Sequence, residues 1–303
     1  MRAPRTSLKP LERNRPVYGI VMMLFSMSCI GIVDAFGKLV MQTVPQLQVV
    51  GLYFLAIWVC AMILGLAKGI PLKRLYASAA PGLQVLRGLM LVMSLSMLFI
   101  ALKHLPLAEA TVISFTSPLW IVALSVPLLG EPVGWRRWAA VLIGLTGAAV
   151  VMQPGTAIFQ WLALLPLIGA IFFAFYQIVT RLLAGRDSFE TTLCYSFAVG
   201  AVVVLTAAAL IDWKPLTLWE IASIAGMGVL GFLAHLTMLQ SLSAADASLV
   251  APFNYVRVLW AIGLGYVLFE ETPGLWTFVG GGIVIASGLY VLWRETARRK
   301  AAV

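Results

Sequence analysis

Charge is what this 303-residue chain has least of. Only 11% of its residues are Asp, Glu, Lys or Arg, while 61% are hydrophobic. A water-soluble domain carries roughly 25% charged residues, so this composition excludes a soluble fold. Acids are the scarcer sign, 12 against 21 Lys and Arg. Of the 3 cysteines, Cys29, Cys60 and Cys194 all fall inside apolar segments and read as packing residues, not as a disulfide framework. The 2 histidines, with no cysteine or carboxylate cluster, make no metal site. A phosphate-binding loop of the Walker type is missing, so ATP drive would need a partner. No cofactor is implied. A His/Asp cluster, a nucleophile with its base, or paired interfacial acids would mark a membrane enzyme, and none is present. Charged rings or a filter loop would mark a channel, and these are missing too. The connections are short, and no soluble domain fits between them.

Long apolar runs fill the space left by these absences. A membrane span needs about 20 apolar residues. The expected fold is an all-α membrane protein with ten spans, near 17–41, 46–67, 83–102, 109–129, 137–152, 161–183, 190–211, 219–241, 247–268 and 274–293. The fifth is short. The net charge of +9 would suggest nucleic acid in a soluble protein, but its placement says otherwise. Arg2, Arg5, Lys9, Arg13 and Arg15 precede the first span, and Lys68, Lys73, Arg74 and Arg87 surround the second connection. Arg136 and Arg137 follow the fourth span, Arg181 and Arg186 the sixth, and Arg294, Arg298, Arg299 and Lys300 the tenth. Threading ten spans puts all of these on one side and leaves Lys103 and Lys214 on the other. This is the positive-inside pattern, with both termini cytoplasmic and a bacterial-type inner membrane as the location. The basic N-terminus imitates a secretory signal, but the run is too long and contains Asp34 and Lys38, so it reads as a retained first span.

The chain repeats itself. Ile113 to Trp120, running on to Gly130-Glu131, is echoed by Phe253 to Trp260, running on to Glu270-Glu271. Each copy holds Leu-Trp, then an acidic break at the same distance, then a Gly-rich apolar segment. The turn-like Gln153-Pro154-Gly155-Thr156 divides the halves. The expected organisation is a cytoplasmic tail at 1–16, a five-helix repeat at 17–152, a second at 161–293, and a cytoplasmic tail at 294–303. Two copies of an odd-span unit enter the bilayer from opposite faces and form an inverted repeat, an arrangement typical of carriers. The Gly-rich fifth and tenth spans read as packing struts.

Leu86-Arg87-Gly88, the run Ala101 to Thr111, Pro118-Leu119, Gly130-Glu131 and the run Ala245 to Tyr255 resemble the EamA-type branch of the drug/metabolite transporter superfamily. The resemblance covers essentially the whole chain. Asp34-x-x-x-Lys38 and the Leu-Arg-Gly opening of the third span look like the bacterial uptake carriers for S-adenosylmethionine and riboflavin, while other members export amino acids or metallophores. The resemblance implies an inner-membrane secondary carrier with a central cavity lined by most spans other than the fifth and tenth.

Ionisable groups within the bilayer cost at least ~2.5–3.5 kcal/mol each on insertion scales, so they are the first site candidates. Arg257 lies near mid-bilayer in the ninth span and suits an anion or a ring. Asn254 shares its helix face. Asp34 and Lys38 share a face of the first span; they read as a gating or proton-sensing pair, as Asp34 paired with Arg257, or as a static pair. Arg87 either steers anions at the inner mouth or snorkels. Glu109 suits the dipole of the fourth span as a cap. His235 would suit a proton-coupled step or simple core packing. Tyr176, Gln177, Tyr255, Trp120 and Trp260 are neutral candidates for a ring or cation. Ser114, Thr116 and Ser117 either meet substrate or bond back to their own helix. Pro118 and Pro252 are expected to kink the fourth and ninth spans. The expected partners are a small organic, zwitterionic or ring-bearing substrate and the lipid bilayer. Coupled protons, and a monomer or homodimer, remain open; nucleic acid is not expected.

Overall fold

The computed structural model describes residues 15–130, 133–154, 161–183, 186–211, 213–245 and 247–301. Arg2, Arg5, Lys9 and Arg13, Glu131-Pro132, Gly155-Thr156 and Asp246 lie outside the described residues. The helices run α1 (Pro16–Val40), α2 (Gln46–Ala67), α3 (Leu72–Leu75), α4 (Pro81–His104), α5 (Leu107–Ser114), α6 (Ser117–Leu129), α7 (Trp135–Met152), α8 (Leu164–Leu183), α9 (Phe189–Ile211), α10 (Leu218–Ala244), α11 (Ala247–Val250), α12 (Val256–Phe269) and α13 (Leu275–Ala301). A 3-10 turn, Trp161–Ala163, leads into α8, and another, Ala251–Tyr255, leads into α12. In hydrocarbon every backbone polar group must be satisfied within its own segment, which makes helices of these apolar runs. Pro16 and Pro81 open α1 and α4, where a missing N–H costs nothing. A Thr217/Glu220 capping box starts α10.

Among the described residues, nine stretches are long and apolar enough to cross a membrane: Pro16–Val40, Gln46–Ala67, Pro81–His104, Leu107–Leu129, Trp161–Leu183, Phe189–Ile211, Leu218–Ala244, Ala251–Phe269 and Leu275–Arg294. The short expected fifth span corresponds to α7, 18 residues long with Arg136 and Arg137 in its first turn, which does not reach the apolarity of the others. It packs lengthwise on α13.

Pro118 and Pro252 do more than kink their spans. The fourth stretch stops at Ser114 and restarts at Ser117, and the eighth, Ala251–Phe269, passes through the 3-10 turn 251–255 before α12 begins. Pro118 has no N–H to return to the preceding turn, and Thr116 takes over as acceptor for Leu119 and Trp120. The helices that follow the two breaks end alike. Gly130 after α6 (φ 65°) and Glu270 after α12 (φ 56°) both adopt the left-handed conformation, and they hold matching places in the two sequence copies.

The closest helix pairs are α1 with α10, α2 with α9, α4 with α8, and α7 with α13, joined by α1 with α12 and α6 with α8. Every one of these joins a helix from 16–152 to one from 161–301. Neither half has a core of its own: the main buried cluster takes Phe54, Ile57, Phe99 and Leu102 from one half and Phe197, Met227 and Val258 from the other.

The α7–α13 seam depends on glycine. A Cβ on Gly280 would stand 2.4 Å from the Gly147 carbonyl oxygen, and one on Gly147 would stand 2.9 Å from that of Gly280. Backbone cannot move aside as a side-chain tip can. Gly280→Val therefore forces the helices apart, at a cost of about 1–3 kcal/mol. Thermal unfolding of the purified protein in detergent should show a lower midpoint for Gly280→Val and a smaller drop for the same change at Gly282, which meets nothing within 4 Å. Equal midpoints would contradict close backbone contact.

Candidate functional site

The break in the fourth stretch and the break in the eighth meet. Phe115 and Tyr255, which occupy matching places in the two sequence copies, stack with ring centroids 4.9 Å apart. Beside this junction, at the start of α12, Arg257 donates from Nε to Asp34 Oδ2 of α1 at 2.6 Å. The Asp34 side chain is 4% exposed and that of Arg257 17%. One half supplies the acid and the other the base. Only the Nε edge of the guanidinium is engaged by a described residue, which leaves its Nη1/Nη2 edge for another acceptor. Such an edge accepts a carboxylate or phosphate end-on with two parallel hydrogen bonds.

Among the described residues, three further side-chain polar atoms on or just before the broken helices are buried without a hydrogen-bond partner: Thr111 Oγ1, Trp120 Nε1 and Asn254 Oδ1. Buried polar atoms are ordinarily paired, so a donor and an acceptor stand open to a ligand. Trp260, the counterpart of Trp120 in the other copy, donates to Ser28 Oγ at 2.8 Å, so the two matching indoles differ. Ser114 and Thr116 bond back to Ala110 and Ile113 carbonyls, and Ser117 is half-buried at the first turn of α6.

Lys38 is buried at the far end of α1. Its Nζ donates to the Leu105 carbonyl at 2.5 Å and to the Glu271 carboxylate, and it faces the Phe269 ring at 5.2 Å. The second Glu271 oxygen accepts the Leu107 N–H at 2.7 Å. The start of α5 is thus capped by Glu271 from the other half, while Glu109, the residue expected there, accepts from Thr277 at 3.4 Å. At the same end, Glu220 accepts from Thr43 at 2.7 Å and from Lys214 at 3.0 Å.

Arg87 and Tyr176 lie together toward the opposite, basic end. Arg87 does not snorkel to the surface: it is 5% exposed. It donates from Nε to Thr180 Oγ1 at 2.7 Å, from Nη1 to the Thr192 carbonyl at 3.1 Å and to Ser196 Oγ, and from Nη2 to Tyr176 OH at 2.6 Å. All four acceptors are neutral, so four of its five N–H donors are engaged while its charge is not neutralised by any described carboxylate. Nothing in the Leu-Arg-Gly opening points to these partners, which arrive from α8 and α9. His235 packs edge-on against Phe197 at 5.2 Å; Gln177 is half-buried on α8. The candidates therefore fall into three groups: Asp34, Arg257, Asn254 and Tyr255 at the junction, Arg87 and Tyr176 below it, and Lys38 above. Among the described residues no three His, Cys, Asp or Glu side chains are grouped as metal ligands would be.

The model of the EamA-like transporter family matches residues 17–153 and again 160–293. An S-adenosylmethionine uptake transporter of Rickettsia bellii is 31% identical over 74% of this chain and 76% of its own length. A riboflavin transporter of Vibrio cholerae is 27% identical over 95% and 97%, and a pseudopaline exporter of Pseudomonas aeruginosa 24% over 89% and 94%. A solved crystal structure, described only as that of a protein, superposes with a TM-score of 0.63 at 21% identity over 91% of this chain and 95% of that one; it establishes likeness of fold alone.

At the basic end Asp187 ties two connections together. It accepts from Ser78 Oγ at 2.5 Å, Gln84 Nε2 at 2.7 Å and the Ala79 N–H at 2.8 Å. Burial pushes its carboxyl up, but these hydrogen bonds and the Arg186 charge outweigh burial and hold it below the usual carboxylate range. The folded-state pKa lies below the unfolded one. The stabilisation is therefore complete above the unfolded value of about 3.9 and is lost as pH falls through the folded value. Asp187→Asn should melt a few degrees below the wild type at pH 7, with the gap closing below about pH 4. A gap unchanged between pH 7 and pH 3 would contradict this role.

Proposed function

The chain belongs to the EamA-like transporter family, and we propose that it is an inner-membrane secondary carrier of a small zwitterionic or ring-bearing metabolite. In this reading α7 completes ten spans, and 17–152 and 161–293 are inverted five-span repeats with both termini in the cytoplasm. Alternating access comes from rocking about the junction where the broken stretches meet. Three features support the repeat: the matching breaks, the matching left-handed caps at Gly130 and Glu270, and the Phe115–Tyr255 contact.

The observation that carries the proposal is the Asp34–Arg257 pair, shared between halves and engaged through Nε alone. A substrate carboxylate or phosphate takes the Nη edge, and a cationic or hydrogen-bond-donating group of the same molecule takes Asp34. An uncompensated charge at this depth costs a few kcal/mol. A zwitterion keeps both protein charges matched as it enters, whereas a plain cation would strand Arg257. Asn254 and the Trp120 indole hold polar groups of the substrate, and Phe115 and Tyr255 receive its ring. Arg87, charged and unneutralised, draws the anionic end toward the basic side. Lys38 and Glu271 shut the opposite side. Asp34 is the group through which protons would couple. The relatives' substrates, S-adenosylmethionine and riboflavin, both bear rings; S-adenosylmethionine also carries the carboxylate and ammonium this arrangement matches, whereas riboflavin has no carboxylate or phosphate and would meet the Nη edge through ring carbonyl and nitrogen acceptors. The similarity to a pseudopaline exporter supports a second reading, export of an amino-acid-derived product.

Counterflow in proteoliposomes tests the proposal. Vesicles preloaded with unlabelled S-adenosylmethionine, riboflavin or an amino-acid mixture should accumulate the matching label, and Arg257→Ala should abolish accumulation while still yielding a folded, membrane-inserted protein. Normal transport by Arg257→Ala would overturn the site. Uptake of simple inorganic ions alone would overturn the substrate class.

A further inference from the structure

On the outer surface of the bundle, at the basic end and away from the junction, α7 and α13 enclose a groove of about 410 Å³. Its lining is ordered by polarity. Trp135 and Arg136 stand at the start of α7 and Tyr290 faces them from α13; Ala139, Ala140, Ala286 and Ser287 continue the lining along both helices, and Ile143 lies farthest along α7 from the arginine. Small side chains on both helices leave room between them, and aromatic side chains wall the end near Arg136. At the other end Leu142 and Ile143 are 62% and 56% exposed, an apolar track leading toward the bilayer centre.

The mouth is electrostatically uncompensated. Arg136 occupies the first turn of an 18-residue helix that has no acid in that turn and no side-chain cap at Gly134. A helix N-terminus is already the positive end of the macrodipole, which favours anions and disfavours cations. Arg136 stacks on the Trp135 ring at 5.5 Å and forms no ion pair with a described residue. A cation placed against the unfavourable end of a helix, beside a groove that turns apolar along its length, calls for a ligand with an anionic head and a hydrocarbon body.

We propose that this groove binds one anionic phospholipid from the leaflet at the basic end. The phosphodiester sits between the Arg136 guanidinium, the N–H groups of Trp135 and Arg136, which unlike those of Arg137 and Trp138 do not donate to the Gly134 carbonyl, and the Tyr290 hydroxyl, and an acyl chain lies over Ala139, Ala286 and Ile143. Arginine-bearing pockets between helices on the cytoplasmic side suit anionic headgroups, and a helix N-terminus suits phosphate. The lipid bridges α7 and α13, the seam held by Gly147 and Gly280, and so bears on the stability of that seam. This site is separate from the proposed substrate site and does not depend on it.

The test is native mass spectrometry of the purified full-length protein after exchange into equal amounts of phosphatidylglycerol and phosphatidylethanolamine with identical acyl chains. The wild type should retain one phosphatidylglycerol in preference to phosphatidylethanolamine. Arg136→Gln should cut that retention about fivefold. Ala286→Leu, which fills the groove and leaves the arginine in place, should cut it as well. Thermal unfolding run in parallel checks that both variants fold, and Arg136→Lys should keep part of the preference. Retention of the two lipids in equal measure, retention of neither, or wild-type retention by both Arg136→Gln and Ala286→Leu would each overturn the proposal.

Discussion

The ion pair between Asp34 and Arg257 is the constraint around which the rest of the molecule is arranged. Two charges buried in hydrocarbon tolerate no loss of partner, and removing one member of a buried pair typically costs about 3–5 kcal/mol. The acid comes from α1 and the base from α12, so the pair fixes the first helix of one half against the broken stretch Ala251–Phe269 of the other. It also brings Arg257 to the end of a 3-10 turn, where the helix is already interrupted and a side chain can change partner without disturbing a continuous backbone ladder.

Around this point the two halves are interleaved, and this bears on how such a chain folds. Each close helix pair crosses between halves, and the buried cluster draws on both. Glycine makes the closest approaches possible, as at Gly147 and Gly280. Further polar ties between the halves run the length of the bundle: Lys38 with Glu271 and Thr43 with Glu220 at one end, Ser26 with the Ala234 carbonyl and Trp260 with Ser28 along α1, and Arg87 with Thr180 and Ser196 and Asp187 with Ser78 at the other end.

Much of this was legible in the sequence because a bilayer is a demanding solvent. Apolar length alone located nine of the ten expected spans to within a few residues, the fifth falling short in α7, and the Leu-Trp echo marked the two segments that hold matching places in the copies. The cost of a lone charge singled out Arg257 and offered Asp34 as one of its possible partners. What the sequence did not reveal is set by long-range packing. Arg87 looked interfacial because its hydroxyl partners lie far along the chain, on α8 and α9, and hydroxyls carry no signature that marks them as acceptors. Glu109 looked like the cap of its own helix, but Glu271 arrives from another connection with better geometry. Prolines forecast bending, yet whether a helix bends or breaks depends on whether Thr116 and its neighbours can take over the freed hydrogen bonds.

The central claim is that Asp34 and Arg257 bind substrate and do not merely brace the fold. Asp34→Asn, Arg257→Gln and the double variant should be compared in one counterflow and thermal-unfolding series. Each single change strands a buried charge and should lower the melting midpoint; the double change strands none and should restore it toward the wild-type value. The account predicts that stability returns in the double variant while transport stays lost. Transport returning together with stability would contradict it and would make the pair a brace.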